Sequence, residues 1–110
     1  MRRLIRADGT SQDLPQPISI AEINRLIGAQ VTDTVNLRHL GQPLHVMVVD
    51  DLGYETEQVE PIPGQIELRP IRARKPVNEE ATRLYLANCR PGTTHQIVGD
   101  VVVVPDEDFA

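Results

Sequence analysis

Pro91-Gly-Thr-Thr-His-Gln-Ile-Val-Gly-Asp-Val-Val-Val-Val104 is the stretch whose reading decides the fold. It opens with a Pro-Gly turn, passes through the polar residues Thr93, Thr94 and His95, and ends in the most apolar run of the chain. A run that is apolar at consecutive positions reads as a strand in a sheet interior, covered on both faces. It is expected from about Gln96 to Val104, with Pro105 as its stop. Gly99 inside it marks a bulge or a close backbone approach.

The segment leading into this strand reads as a helix. Asn78 is a good N-cap, and Glu79 and Glu80 fall in the first turn, where the helix dipole favours anions. Ala81, Leu84, Tyr85 and Cys89 recur at helical spacing, and Pro91-Gly92 is the expected stop. An earlier helix is clearer. Ser19 and Glu22 have the spacing of a capping box, Ile20, Ile23, Leu26 and Ile27 form one stripe, and Gly28 stands where a left-handed cap is wanted. Val31 to Arg38 switches to period two, and Leu44 to Val49 is more apolar. Joined by His39 to Pro43, the two read as a hairpin. Leu4 to Ala7 reads as a short edge strand, and Thr10 to Pro17 as a connection.

Residues 54–76 read as an irregular, Pro-rich insertion, since Pro61, Pro63, Pro70 and Pro76 interrupt any long element. Only Gln65 to Arg69 alternates well enough for a short strand. The expected architecture is therefore α+β in one domain: a small mixed β-sheet with two short helices on one face, in the order β-α-β-β-insertion-α-β.

At 110 residues the chain can bury a single core without disulfides. That core is aliphatic, because Tyr54, Tyr85 and Phe109 are the only aromatics. A net charge of -5 argues against general nucleic-acid affinity. Cys89 is the single cysteine, so no intramolecular disulfide and no cysteine zinc site are expected, and a reducing cytoplasmic location fits. No stretch approaches the ~20 apolar residues of a membrane span. Charge falls in blocks: Asp50, Asp51, Glu55, Glu57 and Glu60, then Arg69, Arg72, Arg74 and Lys75. Such blocks are solvated surface or pair with each other, within one chain or across a homodimer.

The helix end Leu26-Ile27-Gly28, the strand pair after it, the helix start Asn78…Ala81-Thr82 and the run Ile97-Val98-Gly99-Asp100 carry a resemblance. Over about Ile18 to Val104 the chain resembles a domain-of-unknown-function family of small proteins from bacterial plasmids and phages. The resemblance implies an origin in mobile or accessory DNA. It implies no activity, cofactor or catalytic residue.

Candidate chemistry is sparse. Cys89 and His95 are a nucleophile and a base close in sequence, but Cys89 lies at a helix C-terminus, where the dipole opposes a thiolate. It reads as structural. His39, His45 and His95 lack the spacing of metal ligands. Neighbouring Asp50 and Asp51 point to opposite faces of a strand. No phosphate loop or hydrolase motif is present, so neither an enzyme nor a cofactor is expected.

Three functional readings follow. The leading one is a protein-interaction module, with Asp50, Asp51, Glu55, Glu57 and Glu60 as the patch meeting a protein partner or a second copy. The next is an anionic-ligand site built from Arg72, Arg74 and Lys75 with Thr93, Thr94 and His95. The third is an acidic DNA mimic, using the same carboxylates.

Overall fold

The computed structural model describes residues 2–109. Its elements are β1 (Arg3–Ile5), β2 (Ser11–Asp13), α1 (Ile20–Ile27), β3 (Thr32–Asn36), β4 (His45–Asp50), β5 (Tyr54–Ile62), β6 (Gln65–Ala73), α2 (Glu79–Leu86) and β7 (Val101–Pro105). Five strands form one sheet in the order β2-β1-β7-β4-β3, and β5 pairs with β6 in a separate two-stranded sheet. The α+β class holds. Every pairing between these strands is antiparallel, so the sheet is not mixed in strand direction.

β7 occupies the centre, as its two-faced apolar character requires. Val101 and Val103 pack with Ile5, Leu37, Met47, Ala81 and Leu84 on one face. Val102 and Val104 pack with Leu4, Val46, Val48, Ile23 and Ile27 on the other. The helices therefore cover opposite faces, a correction to the arrangement with both on one face. A single-sided arrangement would leave Val102 and Val104 in water, and burying each such side chain is worth about 2 kcal/mol.

β7 is shorter than the run that announces it. Gln96 to Asp100 is not strand, and Val98 makes only an isolated bridge to Val77. Gly99 is the reason: its φ is +76°, and an added Cβ would lie 2.8 Å from the Lys75 side chain. The chain bends there and enters the sheet at Val101.

Both caps form. The Ser19 hydroxyl accepts from the Glu22 amide at 3.2 Å, and Gly28 closes α1 with φ +67°. Asn78 does more. Its side-chain oxygen accepts from the Ala81 amide at 3.0 Å, while its amide nitrogen donates to the carbonyls of Ile5 and Gly99 at 3.0 and 2.9 Å. It is buried, so one residue starts α2 and ties it to β1 and to the Gly99 bend. α2 ends at Leu86 rather than at Pro91. Past it the chain tightens, with the Asn88 and Cys89 amides donating to the carbonyls three residues back.

Two stretches differ more from their sequence pattern. Ser11–Asp13 is a strand, so β1 is not the edge. Asp8 accepts from the Thr10 amide and hydroxyl, Gly9 adopts φ +94°, and the chain folds back onto β1. Residues 54–76 are not irregular. They hold the two longest strands of the molecule, nine residues each, with shifts in register between Glu55 and Thr56 and between Val59 and Ile62. Prolines are tolerated because each strand has only one partner and an open edge.

Candidate functional site

The β5–β6 hairpin stands apart from the five-stranded sheet as an arm. Nine extended residues reach about 30 Å, and the molecule measures 49 × 29 × 28 Å. The root of the arm is fixed by specific contacts. Gly53 is buried, and a Cβ there would come within 2.7 Å of Val98. The Arg74 amide donates to the Gly53 carbonyl at 2.8 Å. The Tyr54 hydroxyl donates to the Gln96 carbonyl. Lys75 holds three groups: its Nζ lies 2.6 Å from the Asp50 carboxylate and donates to the Ile27 and Gly28 carbonyls at 3.0 Å each. It is the cation at the C-terminus of α1.

Beyond the root every residue of β6 is exposed. Ile62, Ile66, Leu68 and Ile71 are exposed at 56, 69, 65 and 57%. The register pairs Thr56 with Pro70 and Gln58 with Leu68, so these four share a face with Ile66. The other face carries Glu55 opposite Arg72 and Glu57 opposite Arg69. Glu55 and Arg72 form a two-pronged ion pair at 2.7 and 3.0 Å. Ile71 is the extra residue at one register shift.

A cavity of about 310 Å³ lies where the arm meets the sheet, between Val35 and Val49 of the sheet, Tyr54, Thr56 and Pro70 of the arm, and the loop from His95 to Val98. Tyr85 of α2, and Asp33, Asp50 and Asp51, complete it. The His95 ring sits between two tyrosines, 5.4 Å from Tyr54 and 5.7 Å from Tyr85, at interplanar angles of 42° and 69°. Burial pushes the Tyr54 phenol above its ordinary pKa. The Cys89 thiol, with burial, does the same for Tyr85. Both phenols stay neutral through the physiological range.

The residues singled out in the sequence are scattered over these features. Asp50 and Glu55, two of the five carboxylates of the acidic block, are held by Lys75 and Arg72. Glu60 accepts from the Gly64 amide at the arm tip. Glu57 is exposed on the arm, and Asp51 is exposed at the cleft. The acidic and basic blocks thus pair within the chain at two points, Asp50 with Lys75 and Glu55 with Arg72. His95 lines the cleft, but Arg72, Arg74, Lys75, Thr93 and Thr94 do not. Thr93 turns its hydroxyl to the Arg90 carbonyl, and Thr94 and Arg74 are exposed. Cys89 is half-buried, with its thiol on the Tyr85 carbonyl. His39 contacts Asn88 and His45 contacts the Pro43 carbonyl. Among the described residues no three His, Cys, Asp or Glu are placed to hold a metal ion.

Sequence reasoning missed Tyr54, Tyr85 and Asp33. One signal was present: two of the three aromatics of an aliphatic chain converge on a single cleft. Comparison with protein-family models, curated proteins and solved structures finds no match to this chain. Among the described residues no helix is long and apolar enough to cross a membrane.

Proposed function

We propose that this chain is a non-enzymatic protein-interaction module that acts through the β5–β6 arm, with a second copy of the chain as its partner. The observation that carries this reading is the exposure of Ile62, Ile66, Leu68 and Ile71 on a hairpin outside the five-stranded sheet, with Ile66 and Leu68 on one face. Apolar side chains concentrated in this way on a projecting element mark an interaction surface. Pro61 and Pro70 remove donors from the two strands, which discourages strand addition at the edges and leaves the faces to bind. Ile66 and Leu68 share one face of the arm, so two such faces laid together bury each other's apolar side chains and leave the Glu55–Arg72 pair on the outside.

The resemblance of its short motifs to those of a plasmid and phage protein family is what supports placing the module on a mobile or accessory genetic element of a bacterium. The lone cysteine supports a reducing, cytoplasmic compartment.

Sedimentation velocity over a range of concentrations tests the reading. The expected result is a dimer that dissociates on dilution, and a monomer at every concentration when Ile66→Ser and Leu68→Ser are combined. Both side chains are exposed, so the melting temperature should not change. A wild-type chain that stays monomeric at the highest concentration overturns it.

A further inference from the structure

We infer that the cleft at the root of the arm is a binding site for a small organic cation of the alkylated-ammonium class. The inference goes beyond the interaction reading and does not depend on it. The cavity of about 310 Å³ is at the lower end of what a small ligand needs. Its lining includes Asp33, Asp50 and Asp51, and neither lysine nor arginine. Asp50 is neutralised by Lys75 from outside the lining, which leaves Asp33 and Asp51, both exposed, to set the sign of the site. An anion is disfavoured there.

Carboxylates alone would attract any cation, and the remainder of the wall narrows the class. Val35, Val49 and Ile97 are apolar, and Tyr54, Tyr85 and His95 bring three rings to the same cavity. Such a wall has no oxygen cage for a metal ion, whereas ring faces attract a cation that keeps an apolar skin. Both phenols are neutral, and the Tyr54 hydroxyl is occupied by the Gln96 carbonyl, so what Tyr54 offers a ligand is its ring. An ammonium wrapped in methyl groups fits both halves of the lining. Its source can be a free choline-like molecule or a methylated lysine side chain.

The test is a titration followed by two-dimensional amide NMR with choline, with its uncharged carbon isostere dimethylbutanol, and with a short peptide with and without trimethyllysine. Saturable shifts confined to the neighbourhood of Val35, Val49, Tyr54, His95 and Ile97 are expected. Choline should bind about tenfold more tightly than dimethylbutanol, the ratio that a desolvated cation over aromatic rings supports. His95→Lys should abolish binding, and Asp33→Asn should weaken it severalfold, the latter without a change in melting temperature because Asp33 is exposed. The Ile66→Ser, Leu68→Ser variant should bind choline like the wild type, which separates this site from the arm surface. Trimethyllysine peptide binding tighter than choline assigns the source as a modified side chain, and the reverse order assigns a free cation. Equal affinity for choline and dimethylbutanol, or no saturable shift with choline, overturns the inference.

Discussion

β7 and β6 are both strands, and they are held by opposite means. β7 is five residues long and buried throughout, whereas β6 is nine residues long and exposed throughout. In the first, apolar burial on both faces fixes the strand. In the second, ladder hydrogen bonds and cross-strand pairs such as Glu55–Arg72 do so, each pair worth about 0.2–1 kcal/mol. A two-stranded hairpin is marginal by itself in water. The arm therefore depends on its root, where Gly53, Arg74, Lys75 and Tyr54 join it to the domain. Core stability and arm order are separable quantities in this molecule, and substitutions can move one without the other.

The largest effect is expected in the sheet. Met47 is fully buried between β7 and β3, so Met47→Ala should cost about 3 kcal/mol, read as a lowered midpoint in urea with an unchanged slope. A cost below about 1 kcal/mol would mean that the centre of the sheet is not the seat of stability. The root should respond less. Lys75→Met leaves Asp50, whose side chain is 5% exposed, without its cation, and also uncaps α1. A loss of about 2 kcal/mol is expected, together with faster hydrogen exchange at the Arg74 amide. An unchanged exchange rate there would show that Lys75 serves α1 alone.

The smallest effect is a matter of pH and touches the arm not at all. Arg2, hydrogen-bonded to Asp108 at 2.8 Å through both oxygens, holds the Asp108 carboxyl below its usual range. A carboxyl with a depressed folded pKa stabilises fully above its unfolded value of 3.8 and loses that contribution as pH falls toward the folded value. Asp108→Asn should thus lower the melting temperature slightly near neutral pH and converge on the wild type in acid. Parallel curves at all pH values would exclude the ion pair as the cause.

Legibility from sequence divides along the same line as the two regions. α1 was readable to its ends because Ser19, the Ile23 and Ile27 stripe and Gly28 are local signals that tertiary packing did not override. Asn78 was readable as a cap, but its bonds to Ile5 and Gly99 were not, since they join positions far apart in the chain. β2 was missed because Ser11, Gln12 and Asp13 carry no alternation and bury nothing. The arm was misread for a related reason. Its prolines argue against a central strand, yet a two-stranded ribbon has no centre. The cleft could not be read, because Val35, Tyr54, Tyr85 and His95 lie on four segments that meet only in the folded state.

The sequence by itself determined the class, the helix caps and the two-sided core strand, because burial period and capping chemistry act over a few residues. Only the tertiary structure decided that the helices take opposite faces, that residues 54–76 stand out as an ordered arm, and that Asp50 and Glu55 pair with Lys75 and Arg72. Those outcomes depend on which distant segments exclude water from one another, and that is a property of the assembled chain.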